Sequence, residues 1–460
     1  MKKILFIGAI LGLGFANVQT LYGLTSMGGS GGYGVMFSYD ISSQTYTIKK
    51  NFDASNLAEG LVPRGSLTKT SNGKLYGMTY LGGTNNSGTL FEYDPAMENY
   101  AVKVNFSSTN GSSPFGSVIQ ASNGKFYGMT SKGGSGNGVL FEYDPTTESY
   151  AVKVTLNGAN GKEPHGGLVQ ASNGKLYGMT YLSSDANSNR GLLFEYDPAT
   201  SVYTVKIEFN DGNGSRPYGD LVETNDKLYG MTREGGANGA GTLFEFDPAT
   251  AVLTKKIDFG GANGRNPMGT LCMASNGKFY GLASGGNGGS GLIFEYDPTT
   301  NTYATKADFD FDNGSNPMGT LMQSSDGKLY GLSSYGGSPE LGTMFSFDMT
   351  TNAITKLVTF DGTNGSTPYY TKLVEVDSAT MATTEVTTTN IKLYPNPVED
   401  VLYLQGISKA NVAIYNAAGQ EVLSRAVTNG QLNVNSLAKG IYIVKIETDG
   451  RISSQKIVKK

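Results

Sequence analysis

A tyrosine-glycine pair returns seven times along the chain, and that recurrence constrains the fold more than any other feature. The pairs begin at Tyr22, Tyr76, Tyr127, Tyr177, Tyr229, Tyr280 and Tyr330, at spacings of 54, 51, 50, 52, 51 and 50 residues. Each is followed by an aromatic-acidic block, usually FEYDP, starting at Phe37, Phe91, Phe141, Phe194, Phe244, Phe294 or Phe345. A repeat of this length is one supersecondary unit that cannot bury its apolar face alone, so neighbouring units must cover one another. In the third unit four strand-length segments alternate with turn residues: 116–121 (a), 125–130 (b), 138–144 (c) and 150–156 (d). Asn123-Gly124 joins a to b and predicts a type I′ hairpin. The same turn is expected at Asn72-Gly73, Asn173-Gly174, Asn276-Gly277 and Asp326-Gly327, with Asn225-Asp226 as the weakest copy. Strand c ends at Asp-Pro, where proline stops the ladder. No room is left for helices.

A period near 50 residues with four strands fits the blade of a β-propeller, for which about four to eight blades are usual. The chain enters its first unit at strand b, near Leu21, and ends its last with an unpaired strand-like segment, 371–376, in the a position. Pairing of that segment with the first unit would close a ring and leave no orphan edge. The expectation is an all-β fold: a seven-bladed β-propeller of four-stranded blades over 17–376, closed by its N-terminal and C-terminal strands. A linear solenoid would want capping repeats with polar faces, and the sequence shows none. Lysines recurring in strand d, at Lys49, Lys103, Lys153, Lys206, Lys256, Lys306 and Lys356, read as guards against edge-to-edge aggregation. The glycine after each repeat tyrosine lets an aromatic ring lie against the backbone.

Composition narrows the chemistry. Of 460 residues, 64 are glycine and 16% are charged, against an ordinary ~7% and ~25%. One cysteine, Cys272, and one histidine, His165, exclude a disulfide framework and a Cys/His zinc site within one chain. A net charge of −4 removes the basic footprint of a nucleic-acid binder. Lys2 and Lys3 precede an apolar run, and Gly14, Phe15 and Ala16 place small residues at a cleavage point, so 1–16 reads as a signal peptide cut after Ala16. The run falls short of the ~20 apolar residues of a membrane span.

The stretch 377–390 is threonine-rich without an apolar period and reads as a linker. From 391 to 460 short β runs at 401–404, 411–415, 431–434, 441–447 and 453–458 imply a small β-sandwich. Within it stand Leu393-Tyr394-Pro395-Asn396-Pro397, then Val412-Ala413-Ile414-Tyr415-Asn416 with Gly419 closing a hairpin, then Leu437 with Gly440-Ile441-Tyr442-Ile443-Val444, and finally Lys456-Ile457-Val458. This order resembles the type A C-terminal sorting domain of the type IX secretion system. The resemblance implies Sec-dependent export, recognition of the tail by the secretion machinery, passage across the outer membrane, and removal of the tail with release or surface attachment. The tyrosine-glycine, glycine-glycine and FEYDP blocks over 21–376 resemble the tandem repeat family named GloVer, which implies no established activity. Unit four departs from that pattern, with Ser183-Ser184 in place of the Gly133-Gly134 of unit three.

In a four-stranded blade the long b–c loops and d–a crossovers share one face, and loops on a rigid scaffold carry function. The crossovers carry Asn-Gly and then proline, as in Asn110-Gly111 and Pro114. The residue after the proline is expected at the mouth of the central channel: Arg64, Phe115, His165, Tyr218, Met268, Met318 and Tyr369. Their neighbours repeat and they do not. Aromatic, sulfur and cationic side chains there suit stacking on sugar rings or gripping an extended peptide.

Other signals point away from catalysis. The LVPRGS stretch, 61–66, matches a protease-cleavable linker used in recombinant expression, yet Pro63 and Gly65 fall in register with Pro114 and Gly116, so it reads as native. Asp308, Asp310, Asp312 and Gly314 resemble a calcium loop, but Gly319 stands where the terminal glutamate belongs. No metal or other cofactor is expected, calcium being the one candidate. Cys272 shares its strand a position with Ile119, Val169, Val222 and Met322 and reads as a buried small hydrophobe. His165 lacks a nucleophile in a recognisable context. The expectation is a secreted or surface-attached, non-enzymatic binding or adhesion scaffold for an extracellular polymer or protein partner. The alternative is a secreted polysaccharide lyase or glycoside hydrolase, whose paired carboxylates would have to come from isolated candidates such as Glu163 and Asp220.

Overall fold

The computed structural model describes residues 19–184, 189–377, 393–405, 409–416, 421–448 and 451–460. The expected signal peptide, nearly all of the linker, and Gly419 lie outside the described residues. The chain divides into two compact units, Met1–Met381 and Ala382–Lys460.

Each repeat folds as an antiparallel sheet. In the third, Ile119–Gln120, Phe126–Thr130, Val139–Asp144 and Ser149–Thr155 pair in that order. Seven sheets of this pattern make up the described part of the first unit, two of them with an extra short strand, in an all-β, propeller-like array. The first sheet is built from both ends of the repeat region. Gln19–Thr25 pairs with Gly32–Asp40 on one side and with Val374–Asp377 on the other, in register from Gln19↔Asp377 to Tyr22↔Val374. This pairing reaches one residue past the expected segment. Short 3-10 segments at Ala54–Glu59, broken by a non-helical Asn56, and at Gly261–Asn263 occupy crossovers where no helix is expected.

Steric fit explains the repeated motif. A Cβ on Gly128 would lie under 3.0 Å from the ring of Phe141, and the same holds at Gly23, Gly77, Gly178, Gly230, Gly281 and Gly331 for the phenylalanine of each block. All seven rings are fully buried, and each such burial stabilises by about 1.5–3 kcal/mol.

The glutamate of FEYD meets three partners of its own sheet. Glu142 accepts from Tyr127 Oη at 2.6 Å and Lys125 Nζ at 2.8 Å, with Lys153 Nζ at 3.9 Å. Burial opposes its ionisation, but these partners outweigh it and hold the carboxyl below its ordinary range. The strand d lysines are therefore not free edge charges. Lys103, Lys153, Lys206, Lys256 and Lys306 all pair with a block glutamate, and Lys49 and Lys356 with acids of the adjacent unit. Their side chains are 18–30% exposed, because the aliphatic stems lie along the sheet.

The hairpin turns differ from the expected type I′. At Gly73, Gly124, Gly174, Gly277 and Gly327 φ is positive at the glycine but not at the residue before it, and the Gly124 amide donates to the Ala121 carbonyl at 2.8 Å. One left-handed glycine closing a turn is the three-residue G1-bulge hairpin, whereas type I′ needs positive φ at both central residues. Asn225 (+50°) and Asp226 (+58°), the copy that looked weakest, satisfy that requirement, and Thr224 pairs directly with Lys227.

The c–d turn is built alike in every unit. Asp144 Oδ1 accepts from the Thr146 amide at 2.9 Å, and the turn ends on a left-handed residue: Gln44, Glu98, Glu148, Ser201, Ala251, Asn301 or Asn352. Ala251 is exposed at φ +55°, a conformation that costs an ordinary L-residue about 1–2 kcal/mol and that asparagine tolerates. Ala251→Asn is expected to raise stability by about 1 kcal/mol. A melting temperature unchanged or lowered would refute the strain.

In the second unit, Leu393–Tyr394, Val401–Leu404 and Gln431–Asn433 form one sheet. Glu421–Val427, Ala410–Tyr415, Gly440–Thr448 and Arg451–Lys459 form another. Val398, Leu402, Ile414, Val444 and Ile457 belong to their common core. The strands at Leu393 and Glu421 were missing from the expected runs. Motif residues hold this fold: Asn396 Oδ1 accepts from the Val458 amide at 2.9 Å, Tyr442 Oη donates to the Ala438 carbonyl at 2.9 Å, and Tyr394 stacks on Tyr403. Among the described residues no helix is long and apolar enough to cross a membrane.

Candidate functional site

Strand a alternates, and its alternation defines an axis. Leu67, Val118, Leu168, Leu221, Leu271, Leu321 and Leu373 are buried between sheets, so their neighbours on either side point the other way. Those neighbours form a belt. The Ser66 amide donates to Ser117 Oγ, that of Asp220 to Thr270 Oγ1, that of Thr270 to Thr320 Oγ1, and that of Lys372 back to Ser66 Oγ, each at 2.8 Å. The Gly167 amide donates to Asp220 Oδ1, and that of Thr320 to the Thr371 carbonyl at 3.3 Å. Gly167 has no side chain to receive the Ser117 amide. With that one gap the circuit returns to its start, so these residues surround a common axis.

Beside the belt the backbones nearly touch. A Cβ on Gly65 would lie under 3.0 Å from the carbonyl of Gly116, and the same clash carries on from Gly116 to Gly166, Gly219, Gly269, Gly319 and Thr371. Glycine is required there by close approach of neighbouring chains.

Next to this constriction stand the residues that follow the prolines. Phe115 stacks on His165 (4.4 Å between centroids, 24°), and His165 on Tyr181 (4.4 Å, 20°). Tyr218 lies 4.5 Å from His165 and meets Phe115 edge-on at 6.1 Å. The Arg64 guanidinium packs against Tyr80 at 4.2 Å and Phe115 at 4.4 Å, two rings set edge to face, with Tyr369 at 6.0 Å. Met268 lines a small pocket at the constriction, whereas Met318 shares the register without lining it. The rings therefore plug the expected mouth. Tyr218 is only 7% exposed.

The last unit departs from the register. Three residues lie between Pro63 and Leu67 and between Pro317 and Leu321, but four between Pro368 and Leu373. Tyr370, at φ +56°, absorbs the extra residue. It, rather than Tyr369, touches Phe115 (5.7 Å) and Tyr218 (4.5 Å). Tyr369 instead stacks on Tyr370 and shares a 2.8 Å hydrogen bond with Tyr335 Oη.

Sequence reasoning also missed Tyr80, Tyr181 and Arg233, which end strand b. The same position is Ser26, Ser131, Ser284 and Ser334 in other units. There each hydroxyl donates to a crossover, those of Ser26, Ser284 and Ser334 to the next one at Pro63, Asn316 and Pro368 and that of Ser131 to its own at Ser113. A serine ties the loop, and a long side chain reaches the axis.

Charge at the cluster is fixed. Burial, then the charges of Arg64 and Arg233, pushes His165 down to about 3, so its ring is neutral. Burial raises Tyr218 and Tyr370 and pushes Tyr369 up to about 12. The positive charges are Arg64, Arg233 and Arg216. Arg233 Nη1 donates to Tyr181 Oη at 3.0 Å, and both Arg216 (2.9 Å) and Arg233 (3.6 Å) pair with Glu234. Such a set stacks and donates hydrogen bonds.

Past the belt the axis opens into a cavity of about 740 Å³, walled by Thr68, Ile119, Val169, Val222, Cys272, Met322 and Val374. Cys272 thus keeps its expected register but lines a cavity and is partly exposed. Burial raises its thiol pKa and keeps it protonated. Asp220 belongs to the belt and cavity rather than to the loops beside Glu163, and burial raises its carboxyl pKa. The aspartates of the calcium-like loop have separate partners: Asp308 accepts from Asn287, Asp310 from Asn313, and Asp312 pairs with Lys356 at 2.8 Å. Among the described residues no group of three or more His, Cys, Asp or Glu side chains is placed to hold a metal ion.

A family model described as the Gloeobacter/Verrucomicrobia repeat matches residues 12–224 and 183–392, and one described as a secretion system C-terminal sorting domain matches 392–460. Over 72 residues the chain is 36% identical to Beta-agarase D of Zobellia galactanivorans, a match covering 15% of this chain and 15% of that protein. A putative 6-phosphogluconolactonase of Bacteroides fragilis superposes with TM-score 0.53 at 14% identity, over 79% of this chain and 99% of its own. Its counterpart from Bacteroides uniformis gives 0.51 at 14%, over 78% and 99%. At such identity these two likenesses concern the fold alone.

Proposed function

The chain belongs to the Gloeobacter/Verrucomicrobia repeat family and ends in a type IX secretion sorting domain, and from that premise we propose that it is an exported binding or adhesion scaffold. Its seven sheets are the blades of one closed β-propeller, and its ligand is an extracellular polymer held across the loop face by the aromatic and arginine cluster. The tail engages the secretion machinery, which carries the protein out of the cell or to its outer surface. One observation carries the reading. Positions that vary while everything around them repeats, Arg64, Phe115, His165, Tyr218 and the strand b ends Tyr80, Tyr181 and Arg233, converge on one spot. The short match to an agarase agrees with a polysaccharide as the polymer.

The enzyme alternative finds less support. Of the acids lining the cavity, Asp220 accepts from the Gly167 amide and Glu223 from the Ser172 amide at 2.8 Å, so both carboxylates are engaged by backbone. The test is a glycan array probed with the exported chain, run beside a product assay on the same polymers. Binding without product is expected, weakened at least tenfold by Tyr335→Ala and Tyr369→Ala. These two are preferred to Tyr218, whose loss would unpack the plug. A blank array, or shortened polymer, would refute the reading.

A further inference from the structure

The Arg64 guanidinium is the one charge in the cluster whose partners are all rings. Tyr80 and Phe115 pack against it from adjacent sides, at 4.2 and 4.4 Å with their own centroids 5.4 Å apart and their planes nearly perpendicular, and among the described residues no carboxylate pairs with it. Its Nε is buried without a hydrogen-bond partner, as is Nε of Arg233. A plug needs no charge at this register, since Phe115, Met268 and Met318 occupy it in other units. A guanidinium partly stripped of water by these rings and left without a counter-ion is costly. What remains free is its edge, a planar fork of N–H donors that matches a carboxylate or sulfate two bonds at a time. The two rings packed against it restrict how that fork can turn. Arg216 and Arg233 share the acid Glu234, whereas Arg64 has none, in a protein whose net charge is −4.

Resting on the polymer-binding reading, we infer that Arg64 receives an oxyanion of the ligand, so that the polymer is an acidic glycan bearing carboxylate or sulfate groups. The tyrosine rings favour a glycan over an acidic peptide. Tyr335 is 39% exposed, and it joins Tyr369 in offering flat apolar faces to sugar rings beside the fork.

The probes are immobilised polygalacturonate, dextran sulfate, dextran and poly-L-glutamate, presented to the full chain in biolayer interferometry. Polygalacturonate or dextran sulfate is expected to bind at least tenfold more tightly than dextran, and the better of the two names the anion. Arg64→Lys and Arg64→Gln, checked by melting temperature, are each expected to lose at least tenfold, because lysine keeps the charge without the fork. Arg265→Gln, a loop arginine outside the cluster, is expected to change nothing. On the unaltered protein, free galacturonate or sulfate is expected to compete and galactose not to, a readout independent of how any variant folds. Retained affinity in folded Arg64 variants, equal competition by galactose, or tighter binding of poly-L-glutamate would overturn the inference. Dextran binding indifferent to Arg64 would remove it while leaving the polymer reading intact, and binding to none of the four, with a blank glycan array, would remove both.

Discussion

Leu373→Ala is expected to lower stability by about 2–5 kcal/mol and to release the first and last strands of the repeat region together. Leu373 is wholly buried, in one cluster with Leu21, Val35, Phe37, Tyr330, Leu332 and Phe360. Its side chain lies so close to Gly23 that a Cβ there would sit under 3.0 Å from it. The residue thus bridges the start of the chain, the seventh sheet and the strand that completes the first. Truncation removes the transfer energy of three carbons and leaves a void that this rigid surround cannot fill. Val374–Asp377 is held to Gln19–Tyr22 by four residue pairs, too few to persist once their packing is lost. Hydrogen exchange should show the amides of 19–25 and 374–377 losing protection at the same denaturant concentration. Leu271→Ala, the equivalent change in an interior sheet, should cost a similar amount and leave the seam for global unfolding to open. Independent release of 374–377, with 19–25 still protected, would sink the closed ring.

Much of this architecture was legible in the sequence because it is repeated. Tyr-Gly and FEYD mark the two central strands of every unit, and a glycine facing a phenylalanine is a steric necessity that a single chain states seven times. The post-proline register was legible too, since Arg64, Phe115, His165 and Tyr218 follow a fixed landmark. What escaped was whatever depends on counting single residues. Three residues between Ala121 and Lys125, against two between Thr224 and Lys227, decide which hairpin holds the G1 bulge. One residue inserted after Pro368 hands the mouth position from Tyr369 to Tyr370. Both differences are visible in the sequence once the register is tabulated from proline to leucine.

A second group of misses has a different cause. Tyr80, Tyr181 and Arg233 vary against Ser131 and Ser284, and the test that singled out the post-proline residues would have found them. The lysines of strand d were read alone, without the block glutamate one strand away, because cross-strand partners follow from register rather than from spacing. The plug itself was illegible. Whether seven side chains around an axis leave a mouth or fill it depends on ring orientation, and the sequence states only their volumes.

The stability difference between the protein and its His165→Phe variant is expected to widen as pH falls below about 6.5. His165 is the single histidine of the chain, so subtracting the two profiles isolates its titration from that of every carboxylate. Its folded pKa is pushed down to about 3, first by burial among Phe115, Tyr181 and Tyr218, then by Arg64 and Arg233, while the unfolded chain titrates near ~6.5. Between these values the unfolded state binds a proton that the folded state refuses. Stability is therefore complete above pH ~6.5 and drains as pH falls toward about 3, by up to about 1.4 kcal/mol per pH unit. At pH 5 the loss relative to pH 7 reaches at most about 2 kcal/mol. Phenylalanine keeps the ring stack, as Phe115 does at the same register, and cannot take the proton. Urea unfolding followed by circular dichroism at pH 7 and pH 5 gives the comparison. Parallel losses in the two proteins would mean that the imidazole is solvated in the folded state, and that the plug around it is open to water.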